Sequence, residues 1–143
     1  MSGRYVFPAT LRPDKGGYTV VFPHVPEAIT EGTTRAEALA NARDALETAL
    51  SFYIDSREAL PVPGKVSRSQ VPVAVSPLGQ MKLALYEAIL EQGIGKAELG
   101  RRLGKHLPHI DRLLDLTHHS RMDALADALA AVGKRLVVAV EDA

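Results

Sequence analysis

The sequence contains no cysteine, which excludes disulfides, thiolate nucleophiles and cysteine-ligated zinc. Neither sign of charge is in excess, since 17 Lys and Arg balance 17 Asp and Glu. No apolar run approaches the roughly 18 residues that a membrane-spanning helix needs, so no membrane contact is expected. The opening stretch, MSGRYVFPATLRPDKGG, lacks an unbroken apolar core and a small-residue cleavage site. No signal peptide is therefore expected, and a cytoplasmic location is the simplest expectation. Internal repeats and low-complexity tracts are also missing. What remains is a chain of 143 residues, 46% apolar and 24% charged. That composition builds one compact domain or two very small ones, and it excludes collagen-like, coiled-coil and wholly disordered chains.

Charge is even at large scale and uneven locally. Residues 1–79 carry 8 basic and 8 acidic side chains, and residues 80–143 carry 9 of each. The window from Lys96 to Arg121 departs from this balance. It holds Lys96, Arg101, Arg102, Lys105, Arg112 and Arg121 against Glu98, Asp111 and Asp115, with His106, His109, His118 and His119 among them. A basic patch in a neutral protein points to an anionic partner.

Two β-branched and aromatic runs, RYVFPATL (4–11) and YTVVFPHV (18–25), flank Asp14-Lys15-Gly16-Gly17 and predict a β-hairpin. Pro8 and Pro23 belong at an edge, a bulge or a strand end, because proline cannot donate to a ladder. Residues 28–30 can add a short third strand. A helix then starts at Thr34, with Glu37 placed to complete a capping box. Its apolar stripe is Ala36, Leu39, Ala42, Leu46, Ala49, Leu50, Tyr53 and Ile54. It must end before Pro61. VPVAVS (71–76) is a candidate last strand. The order is β-β-(β)-α-β, a small α+β domain expected over residues 1–75.

Ser76-Pro77 is a strong helix start, and residues 76–143 are expected to form an all-α domain. Leu78, Met81, Leu85, Ala88 and Ile89 line its first helix up to Gly93. Short helices follow over Lys96–Leu103 and Leu107–Leu116, separated at Gly104. A last helix is expected to be capped by Ser120 and ended by Gly133. The tail KRLVVAV (134–140) is β-prone. A lone strand needs a partner, which a symmetric dimer supplies through Leu136, Val137, Val138 and Val140.

The segment 94–116, IGKAELGRRLGKHLPHIDRLLDL, has the length and spacing of a helix-turn-helix. Ala97, Leu99, Leu103, Ile110, Leu113 and Leu114 would join the two helices. In such a motif the second helix enters the major groove by its N-terminal end. Lys105, His106, His109 and Arg112 are then candidates near base edges, and Lys96, Arg101 and Arg102 near phosphates. His118 and Arg121 extend the same DNA-binding set. Because imidazoles titrate near neutrality, DNA binding is expected to tighten modestly between roughly pH 8 and pH 6. The plainer alternative is a set of solvated faces on an ordinary helical bundle.

The stretch Ala97-Glu98-Leu99-Gly100-Arg101-Arg102-Leu103-Gly104 with Pro108-His109-Ile110-Asp111-Arg112-Leu113-Leu114 resembles the helix-turn-helix of phage-repressor-like proteins. It departs in Gly100, where the usual residue is Ala, and in Leu107, where a base-reading Gln is common. A Leu there touches a thymine methyl and makes no bidentate hydrogen bond. Residues 16–64 resemble the N-terminal domain of HicB-type antitoxins through Gly17, Tyr18, Phe22, Pro23, Pro26, Thr30, Gly32, Thr34, Glu37, Ala38, Ala45, Leu46, Pro61 and Pro63. His24 replaces the usual Asp and Glu27 the usual Gly, the latter at a turn. DRLLDLTHHSR with the terminal GKRLVVAV is similar to the helix-turn-helix subgroup of the same antitoxins.

That resemblance implies an antitoxin of a type II toxin–antitoxin system. Its first domain would have a degenerate RNase H-like topology and hold a small HicA-type mRNA interferase. Its second would bind operator DNA, repress its own operon and form a homodimer or a higher homo-oligomer. No cofactor is implied, and no enzyme activity. Of the carboxylates in the first 79 residues, only Asp14 lies near the predicted strands, and Glu37, Asp44, Glu47 and Glu58 are expected on the solvent side of the helix. Such a set makes a poor two-metal nuclease. His106/His109 and His118/His119 lack the accompanying ligands of a metal site, and no serine sits on a nucleophile elbow. A free-standing regulator with a ligand-sensing first domain is the alternative in another class.

Overall fold

The computed structural model describes residues 3–143 and divides into two compact units, the first running to Gln80 and the second from Met81 to Ala143. In chain order the elements are β1 (Val6–Asp14), β2 (Gly17–Val21), β3 (Ile29–Gly32), α1 (Arg35–Asp55), β4 (Val71–Ala74), α2 (Pro77–Gln92), α3 (Lys96–Leu103), α4 (Leu107–Leu114) and α5 (Met122–Ala131). The class is α+β, as the sequence predicts.

The first unit is an antiparallel sheet of order β3-β2-β1-β4 with α1 laid across it. β1 is shared lengthwise: Thr10–Asp14 pair with β2 and Val6–Ala9 pair with β4. This division accommodates the prolines. Pro8 stands directly opposite Pro72, and neither has an N–H. The Val75 N–H donates to the Tyr5 carbonyl at 3.0 Å, which fixes the alternation of the ladder. Tyr5/Val75 and Phe7/Val73 become bonded pairs, and Pro8/Pro72 falls where no inter-strand bond is required. The Ala74 carbonyl consequently points away from β1 and accepts from Arg43 Nε at 3.1 Å.

The core of this unit joins Phe7, Ala9, Val20, Phe22, Val25, Ala28, Val73 and Val75 to Ala38, Ala42, Leu46, Ala49, Leu50 and Ile54 of α1, all buried. Ala36, expected in that stripe, is exposed, while Leu39 and Tyr53 are half-buried; Ala38 is the buried residue of the first turn. Two glycines decide this. A Cβ on Gly32 would stand 2.4 Å from the Ala38 nitrogen, and one on Gly17 would stand 2.2 Å from the Gly32 carbonyl oxygen. Strand, strand and helix start therefore touch backbone to backbone, and Ala38 faces the sheet. Thr34 caps α1, its hydroxyl accepting from the Glu37 N–H at 3.1 Å. The Glu37 carboxylate reaches one residue further back than a capping box, to the Thr33 hydroxyl at 3.0 Å.

In the second unit α3 packs on both α4 and α5. Gly104 ends α3 in the left-handed conformation (φ 64), and the Lys105 N–H reaches back to the Gly100 carbonyl at 2.9 Å. α4 stops at Leu114 rather than Leu116. Asp115 turns extended, and its carboxylate takes the Thr117 N–H at 2.9 Å and hydroxyl at 2.7 Å. α5 starts after Arg121, without a side-chain cap. Ser120, the expected cap, is buried with its hydroxyl turned to Lys82. Residues 134–140 form no strand within the single chain. Leu136 is half-buried there, and Val137, Val138 and Val140 are exposed, Val140 at 96%.

Candidate nucleic-acid interface

The position of α4 depends on a residue that motif reading passes over. Lys82 of α2 is fully buried, with 0% of its surface exposed. Its ammonium donates to the carbonyls of Arg112 (2.8 Å), Asp115 (2.7 Å) and His118 (2.7 Å) and contacts the Ser120 hydroxyl at 2.8 Å. It is thereby bound to the C-terminal end of α4 and to the loop beyond. The C-terminal end of a helix carries the negative end of its dipole, so a cation is electrostatically favoured there. Burial pushes the Lys82 pKa down to about 8, opposed by the charge of Asp115. The amine is still mostly protonated at neutral pH. The available signal is its spacing: Lys82 lies four residues after Leu78, three before Leu85 and seven before Ile89, on an apolar stripe.

The α3–turn–α4 hairpin is tight. Leu99, Gly100, Ile110, Leu113 and Leu114 form its buried side. A Cβ on Gly100 would come within 2.9 Å of the Lys105 carbonyl oxygen. The departure from alanine at this position therefore matches the close approach of the turn.

The expected DNA-binding residues separate into groups. Lys105, His106 and Arg112 are exposed and have no acidic partner among the described residues. Lys96 is exposed but paired with Asp111 at 2.7 Å, which neutralises the one carboxylate on the outward side of α4. Arg101 pairs with Glu98 on its own helix. Arg102 shares Glu98 at 3.5 Å and donates to the Ala131 carbonyl at 3.1 Å, so it turns towards α5. His109 is half-buried on α4. Burial, then the charges of Lys105 and Arg112, lower its pKa below the ordinary histidine value. His118 and Arg121 lie beyond α4, His118 half-buried in the loop and Arg121 exposed beside Asp123 at 3.4 Å. Lys96, Arg101, Lys105 and His106 share one open groove with Ala97, Gly100, Gly104 and Leu107.

In the sheet unit, Asp14, Glu27, Glu37 and Glu47 are engaged in local structure. Asp14 accepts from the Lys15 N–H at 2.7 Å. Glu47, expected on the solvent side, is half-buried and accepts from the Ser76 hydroxyl at 2.8 Å. Among the described residues, no three His, Asp or Glu side chains converge as a metal site would require. Among the described residues, no helix is long and apolar enough to cross a membrane. Glu27, at the altered turn, accepts from the Tyr53 hydroxyl at 2.5 Å and raises that phenol's pKa to about 12. His24 packs so closely on Gly64 that a Cβ there would stand 2.6 Å from the ring nitrogen Nε2.

Residues 6–84, which span the whole sheet of the first unit, match the model of the HicB_like antitoxin family of bacterial toxin–antitoxin systems. The chain belongs to the HicB-like antitoxin family. The likeness continues through the helical unit. Antitoxin HicB 1 of Photorhabdus laumondii is 38% identical over 136 residues, covering 94% of this chain and 86% of the relative. Antitoxin HicB of Escherichia coli K12 is 41% identical over 135 residues, covering 91% and 95%. Antitoxin HicB of Pseudomonas fluorescens is 37% identical over 146 residues, covering all of both chains. Glu27 and His24, the two departures from the HicB pattern noted in the sequence, both have structural partners: the first ties its loop to α1, and the second fills the space over Gly64.

Proposed function

We propose that this HicB-like antitoxin holds and blocks a small HicA-type ribonuclease toxin through its sheet unit, and represses its own operon by seating α4 in operator DNA. It acts as a binding protein without catalysis, in the cytoplasm. The observation that carries the reading is the likeness to proteins named antitoxin HicB over 91–100% of the chain, since it includes both units. Residues 1–75 form the toxin-binding domain and residues 76–143 the DNA-binding and dimerisation domain. The exposed Lys105, His106 and Arg112 around the start and outer side of α4 support the operator reading. Cations at these positions would serve a helix that enters the major groove by its N-terminal end. Leu136, Val137, Val138 and Val140, left without a strand partner, join two copies into a homodimer, the symmetry that a palindromic operator requires.

Co-purification tests the first half. Tagged antitoxin expressed with its neighbouring small reading frame should retain that product stoichiometrically, and recovery of the antitoxin alone contradicts the reading. Operator binding tests the second half. Unchanged affinity after Arg112→Ala and His109→Ala would mean that α4 is not the reading helix.

A further inference from the structure

The exposed side of α4 is not uniformly polar. Leu107, the first residue of the helix, is 53% exposed. It lies in the groove that also carries Lys96, Arg101, Lys105 and His106. A large apolar side chain amid cations has no use for an anionic partner that is polar throughout. Duplex DNA is not polar throughout: its phosphates are anionic, and one base-edge group in the major groove is apolar, the C5 methyl of thymine. Position matters as well, since the first residues of a groove-inserted helix are those nearest the bases.

We propose that Leu107 is a specificity-determining residue that selects a thymine in each operator half-site through contact with its methyl group, while Lys105, His106 and Arg112 hold the surrounding backbone and bases. The inference rests on the operator reading above and adds the base that the helix start selects. Leu107 has no hydrogen-bonding group, so selection at this position comes from burying the methyl. It is correspondingly modest, about four-fold per half-site.

The test uses the full-length antitoxin and DNA from its own promoter region. The protected site is first mapped by footprinting at two salt concentrations. Each thymine in it is then replaced singly by deoxyuridine, which removes only the methyl. The expected result is a loss of about four-fold at one thymine per half-site and about fifteen-fold when both are replaced. Leu107→Ala should bind thymine DNA as weakly as the wild type binds the deoxyuridine DNA, and should lose nothing further on replacement. Leu107→Gln should gain preference for adenine at the same position, because glutamine pairs with the adenine edge. Both variants should melt at the wild-type temperature, the side chain being exposed. Operator binding that is indifferent to every thymine methyl, or equal sensitivity in wild type and Leu107→Ala, overturns the role of Leu107 and leaves operator binding standing. Failure to bind any promoter fragment in preference to competitor DNA overturns both.

Discussion

The sheet unit and the helical unit treat their polar groups in opposite ways. In the first, the polar contacts are spread around the core: Thr34 with Glu37 at the start of α1, Arg43 with the Ala74 carbonyl, Ser76 with Glu47, and Tyr53 with Glu27. Its interior is apolar, and its geometry is fixed by what is missing, the Cβ atoms of Gly17 and Gly32. In the second, one ammonium is buried outright, and three backbone carbonyls and a hydroxyl converge on it. Small helices explain the difference. α3 and α4 have eight residues each, so about half of their carbonyls are left without a partner inside the helix. The buried cation meets one of those carbonyls, that of Arg112, together with the Asp115 and His118 carbonyls in the turn beyond. A second lesson concerns charge. The buried Lys82 serves the architecture, whereas Lys105 and Arg112, of the same sign, stay exposed and available to a partner.

The largest effect expected from this contrast is Lys82→Met. Three carbonyls lose a charged donor, and chemical denaturation should show a loss of about 2–4 kcal/mol, against less than about 0.5 kcal/mol for the exposed Arg121→Ala. Equal losses would erase the distinction between inner and outer cations. Next comes Gly32→Ala in the sheet unit, where the added methyl collides with the backbone of α1. Overpacking of this kind costs about 1–3 kcal/mol. A neutral result by thermal melting would mean that the strand–helix contact is looser than its 2.4 Å spacing indicates.

Arg112→Ala should leave the melting temperature within about 2 °C of wild type while weakening operator DNA about ten-fold, as a contacting cation does. A loss of fold would assign it to the architecture instead. The smallest effect concerns pH. A phosphate near the His109 imidazole favours its protonated form, so binding takes up a proton and tightens as pH falls. Burial, then Lys105 and Arg112, hold the unbound pKa below the ordinary histidine value. The few-fold tightening therefore begins nearer pH 6 than pH 8, and His109→Gln should reduce it. Titration of affinity across that range checks the sign.

Most of the element order was legible because its signals are local: the Gly-containing turn at 15–17, the Thr34 cap, Pro77 at a helix start, and Gly104 and Gly133 at helix ends. Local signals mislead where a distant group competes for them. Ser120 looks like a cap in isolation, yet its hydroxyl turns to Lys82, 38 residues away. Asp115 ends α4 early by folding onto Thr117. Ala38 replaces Ala36 in the core because two glycines outside the helix bring the strands close. The basic cluster was visible in composition, but its division was not. Lys96 pairs with Asp111, and Arg102 turns to α5; neither follows from charge counting. Lys82 was the hardest to see, since lysine on an apolar stripe is normally read as a snorkelling side chain.

Growth reads out whether this chain neutralises a toxin of its own operon. The neighbouring small reading frame is expressed alone and then together with the full-length antitoxin. Growth should arrest in the first case and recover fully in the second. Arrest that persists despite soluble antitoxin, or no arrest at all, would contradict toxin neutralisation.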